Sequence, residues 1–94
     1  MSKNEIELQS KLRTLLGHDQ VEVKASASQY LIQMREDDTL ETIARITLIG
    51  PNLYGAAFRT NKGRWEGLPV EGNLFEVAEG VIDLLGPYFD ITKF

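Results

Sequence analysis

Apolar residues recur along this chain with two different periods. Near the start, Leu8, Leu12, Leu15 and Leu16 share one face at the helical period, and Ile6 lies off that stripe. Ser2 with Glu5 fits a capping box, and Gly17 suits the residue after a helix end. The spacing predicts a helix over residues 3–16 that packs on one surface only.

From Val21 to Ala25 apolar and polar residues alternate, as in a half-buried strand. Ser26 to Gln29 interrupt the alternation. Tyr30 to Met34 then reads two ways. As a strand, Tyr30, Ile32 and Met34 share a face. As a helix, Ala27, Tyr30, Leu31 and Met34 do. The short run and its Tyr and Ile favour the strand. Residues 39–49 fork similarly, and the density of Thr and Ile again favours a strand, with Ala44, Ile46 and Leu48 on one face. Ile43, Arg45, Thr47 and Ile49 then make a mixed opposite face.

Gly50-Pro51-Asn52 and Asn61-Lys62-Gly63 are turn signals. They bound a strand from Leu53 to Arg59, and a return strand from Arg64 to Leu68 that Pro69 should end. The small residues Gly55, Ala56 and Ala57 require a close neighbour, expected to be a helix or another backbone.

The last periodic segment is the best defined. Asn73 and Glu76 form a second capping box, and Gly86-Pro87 is a stop signal. Between them Leu74, Phe75, Val77, Ala78, Val81, Ile82, Leu84 and Leu85 occupy about half of the helix circumference. Glu76, Glu79 and Asp83 share the other side with Gly80, which is expected to face solvent. So wide an apolar arc needs the sheet and a second body, either the first helix or a partner subunit. The predicted fold is therefore α+β, an antiparallel meander of four to five strands with N- and C-terminal helices on one face. Tyr88 to Phe94 should fold back onto the core.

Composition narrows function mainly by exclusion. Ninety-four residues suit one domain, which buries roughly 60–68% of its unfolded surface. Without cysteine there is no disulfide and no thiolate metal site. No apolar run approaches the roughly 18 residues of a membrane helix. Met1 to Leu16 does not read as a signal peptide, so the cytoplasm is the expected compartment. The net charge of −4 argues against nucleic acid and anionic membranes as general partners.

Candidate chemistry is sparse. His18, the only histidine, stands beside Asp19, but adjacent loop residues usually point apart. Glu36, Asp37, Asp38 and Glu41 lack the spacing and the glycine of a calcium loop. No phosphate-binding glycine motif occurs. No catalytic residue, metal or cofactor is expected.

Residues 50–70 run against the acidic background, with Arg59, Lys62 and Arg64 against Glu66. With Trp65 they form a basic, aromatic hairpin tip able to hold an acidic protein surface or phosphates. A small-molecule alternative places Tyr54, Arg59, Arg64 and Trp65 around a shallow pocket. Phe75, Ile82, Phe89 and Phe94 are candidate interface residues for a homodimer, the commonest assembly. The expected function is a non-enzymatic protein-interaction module.

The order of helix, meander and helix resembles the layout of double-stranded-RNA-binding domains, and that of acidic dimeric secretion chaperones. The second helix of the former opens with lysines. Here the corresponding stretch is Glu71 to Glu76, so the resemblance implies no RNA-binding function.

Overall fold

The computed structural model describes residues 2–89. Helix α1 (Lys3–Leu16) precedes five strands: β1 (Val21–Ser26), β2 (Gln29–Glu36), β3 (Thr39–Gly50), β4 (Leu53–Arg59) and β5 (Trp65–Gly72). Helix α2 (Leu74–Leu85) and a 3-10 turn (Gly86–Phe89) follow. The strands pair antiparallel in chain order, β1-β2-β3-β4-β5. This is the expected α+β meander, and both ambiguous stretches are strands.

Each boundary has a local cause. Both capping boxes form: Ser2 with Glu5 starts α1, and Asn73 with Glu76 starts α2. Gly17 closes α1 in the left-handed region. Between β3 and β4, Pro51 is followed by Asn52 at φ 51°, a combination that reverses the chain in two residues.

Both helices lie on one face of the sheet. Leu8 and Leu12 from α1 meet Val77, Ala78 and Val81 from α2 over Val21, Ile32, Met34, Ala44 and Ile46. The apolar arc of α2 is thus shared between the sheet and α1, and Leu74, Val77, Ala78, Val81 and Leu85 are buried. Phe75, at 39% exposure, and Leu84, at 47%, remain outside.

Three expectations need correction. Pro69 does not end the last strand, because β5 continues to Gly72. Gly55 faces Glu71 while Ala57 faces Gly67, so β5 bulges around Pro69, and an edge strand tolerates the missing N–H there. Ile43 belongs to the core rather than to the mixed face. A bulge opposite Ile32 and Gln33 turns it inward beside Ala44. Leu48 does share the helix-side face with Ala44 and Ile46, opposite the buried Tyr54, although it is 43% exposed. Gly80 does not face solvent; it packs against Val70 of β5. Of the tail from Tyr88 to Phe94 expected to fold back, Tyr88 is 61% exposed and Asp90 to Phe94 lie outside the described residues. Phe89 itself is wholly buried.

The free edge of β1 is closed by side chains. Glu5, Gln9 and Arg13 recur every four residues and so project from one face of α1. Gln9 accepts from the N–H of Val23 at 2.9 Å, Glu5 accepts from the N–H of Ala25 at 2.8 Å, and Arg13 Nε donates to the carbonyl of Val21 at 2.9 Å. These three backbone groups, which a foreign strand could otherwise use, are satisfied within the chain.

Candidate interaction surface

Helices cover one sheet face only, so the other is set by alternation along the strands. Arg45 of β3 pairs with Leu31 of β2 and with Ala57 of β4, and Ala57 pairs with Gly67 of β5. The next row runs Gln29, Thr47, Gly55, Glu71. Arg59 stands opposite Trp65. All of these lie on the face turned away from α1 and α2.

Trp65 organises this face. The Arg45 guanidinium carbon lies 4.5 Å from the centroid of its ring, and that of Arg59 lies 5.8 Å away. Both distances fall within cation–π range. Arg45 is two strands from Trp65 and reaches it across β4. The methyl group of Ala57 is small enough to pass beneath it, and above Gly67 there is open space. Among the described residues, neither Arg45 nor Arg59 forms an ion pair.

Gly55 is also explained here. A Cβ at that position would meet Ile49 Cδ1 at 3.4 Å and the backbone oxygen of Val70 at 3.9 Å, so the neighbours of this glycine are a side chain on the open face and the backbone of β5, not a helix. Ala56 points the other way and packs against the core. Ile49 is 52% exposed and Leu53 37%. The face therefore combines a floor of small residues with exposed apolar side chains and two guanidiniums.

The sequence-predicted binding residues divide. Arg59 and Trp65 come together. Lys62 and Arg64 are exposed at the hairpin, where the Thr60 hydroxyl accepts from both of their backbone N–H groups. Tyr54 does not join them. It is buried on the helix side, with its ring centroid 6.5 Å from that of Tyr30. Tyr54 and Arg59 are an odd number of residues apart in one strand, so they face opposite ways. A single pocket bounded by Tyr54, Arg59, Arg64 and Trp65 does not form. A cavity of about 600 Å³ is lined by Leu40, Ile43, Phe58, Leu85 and Tyr88, and by Arg59, Thr60 and Gly63 of the β4–β5 hairpin.

Of the proposed interface residues, Ile82 is half-buried against the core and Phe75 is exposed beside it. Phe89, being wholly buried in its own chain, offers no surface to a partner. Phe94 is outside the described residues.

His18 has a structural placement. Its Nδ1 accepts from the N–H of Gln20 at 3.0 Å, and its Nε2 lies 2.7 Å from the carbonyl oxygen of Phe89. With Nδ1 accepting, Nε2 carries the proton and donates to Phe89. Among the described residues, no three His, Asp or Glu side chains converge as metal ligands. No described helix is long and apolar enough to cross a membrane. Compared with protein-family models, curated proteins and solved structures, the chain finds no match.

Proposed function

We propose that this protein is a non-enzymatic protein-interaction module whose recognition surface is the open face of its sheet. The observation that carries this reading is Trp65, set between Arg45 and Arg59 on a face that no element of the described chain covers. Tryptophan and arginine are enriched among residues that dominate binding energy. The bare backbone at Gly67, with open space above it, lets another chain approach closely. The closed edge of β1 and the proline-bearing bulge in β5 disfavour strand addition, which directs a partner to the face.

The test is site-specific photo-crosslinking in the native cell from Thr47, which lies on that face, with Glu79 on the outer side of α2 as control. A partner captured from Thr47 and not from Glu79 is expected. Equal capture from both positions, or none from Thr47, rejects the surface.

The homodimer has narrower support. Phe75 and Ile82 share one flank of α2 and leave apolar surface there. Sedimentation should show a dimer at micromolar concentration that Phe75→Asp converts to a monomer. A monomeric wild-type protein ends the homodimer reading and leaves the sheet face unaffected.

A further inference from the structure

We infer that the open sheet face takes an acidic protein segment, one that sets carboxylates against Arg45 and Arg59 and an apolar side chain over Gly67. This rests on the interaction reading above and adds the chemistry of the partner.

Charge decides first. Arg45 is half-buried on the sheet, and Arg59 stands beside the same indole. Neither has a carboxylate partner among the described residues, although the chain as a whole is acidic. Lys62 and Arg64 extend the positive surface to the hairpin tip. A guanidinium offers donors in a fixed fork that matches a carboxylate, and one stacked on an indole is already held in place. A carboxylate arriving there loses little entropy in arranging its partner.

Shape decides next. Gly67 is the open part of a small-residue floor across two strands: nothing lies within 4 Å of a Cβ built there, while Arg45 passes over Ala57. Trp65 bounds this floor on one side, and Ile49 lies at the other end over Gly55. An apolar side chain fits between them, with acidic neighbours reaching the arginines.

A second copy of the chain fits poorly. Face to face about a two-fold axis, it sets Arg45 and Arg59 against their own counterparts. Setting this face against the acidic side of α2, with Glu76, Glu79 and Asp83, is a heterologous contact that propagates instead of closing. Single-stranded nucleic acid is also disfavoured. The indole surface a base would stack on is occupied by guanidinium.

Trp65 is the only tryptophan, so intrinsic fluorescence reports from the site itself. The probes are a synthetic peptide of glutamate and leucine, its glutamine-for-glutamate counterpart, and oligothymidylate. The acidic peptide should give a saturable change in Trp65 emission that weakens with added salt. Arg45→Gln and Arg59→Gln should each weaken that binding about tenfold or more. Arg59 is exposed, so its variant tests the contact even if Arg45→Gln perturbs the sheet; melting curves confirm that both fold. Equal binding of the glutamine peptide, tighter binding of oligothymidylate, or no saturable response to the acidic peptide overturns the inference. A crosslinked partner from Thr47 alongside any of these leaves the interaction reading standing with a different partner chemistry. No crosslink and no response rejects both.

Discussion

A Cβ placed on Gly80 of α2 would stand 2.7 Å from Cγ1 of Val70 and 3.2 Å from its Cβ. Glycine here lets the helix settle onto the edge strand. Without that contact, Gly80→Ala would gain about 1 kcal/mol of helix propensity. Overpacking costs roughly 1–3 kcal/mol, and Val70 is β-branched with little rotamer freedom. The expected outcome is a net loss of about 1 kcal/mol in urea unfolding, partly restored by Val70→Ala in the same chain. A gain in stability would show that β5 moves away at little cost.

The closed edge of β1 gives a second prediction. Gln9→Ala strands the N–H of Val23, with an expected loss of about 1–2 kcal/mol. Glu5 adds a pH dependence. Its carboxylate is held below the ordinary value of 4.5, first by the backbone N–H of Ala25 and then by that of Ser2. A depressed folded-state value means the contribution is fully present above 4.5 and is lost as pH falls through the lower value. Melting temperature should therefore fall more steeply with acid in the wild type than in Glu5→Gln. Parallel curves would remove Glu5 from the acid response.

Local signals in this sequence were readable where short-range physics decides. The two capping boxes, the Asn52 turn and the Gly17 cap each depend on residues within a few positions, and both helices have the expected bounds. Register was not readable. Beyond the Pro51–Asn52 turn, Gly50 faces Leu53 but Leu48 faces Tyr54, because Ile49 bulges out. Without that extra residue Arg45 would oppose Phe58, on the wrong face. Arg45 was therefore visible only as part of a mixed strand face, and its meeting with Trp65 required the bulge. Tyr54 shows the reverse. Simple alternation separates it from Arg59, so that part of the proposed pocket could have been rejected from spacing alone.

His18 ties the segment after α1 to the 3-10 turn after α2, across 71 positions of sequence. His18→Ala removes the acceptor for the N–H of Gln20 and the donor to Phe89. The expected loss is about 1–2 kcal/mol in urea unfolding. Faster amide exchange should be confined to Gln20, Gly86, Tyr88 and Phe89, which distinguishes the lost clasp from general destabilisation. Uniformly faster exchange would assign His18 to the core instead.

Ala57 is the position that lets Arg45 reach Trp65, and this can be tested without removing either partner. Leucine at 57 would occupy the path across β4 while remaining on a face that no helix covers. Core packing is untouched, so stability should change by no more than about 0.5 kcal/mol, as for ordinary surface substitutions. The emission of the single tryptophan should shift nonetheless, because a guanidinium over the ring is replaced by hydrocarbon or water. The acidic peptide should bind more weakly to Ala57→Leu, although both arginines are still present. Tyr54→Phe, on the opposite face, should leave emission and binding unchanged. If Ala57→Leu altered neither, Arg45 and Trp65 would act independently, and the face would owe its recognition to charge alone.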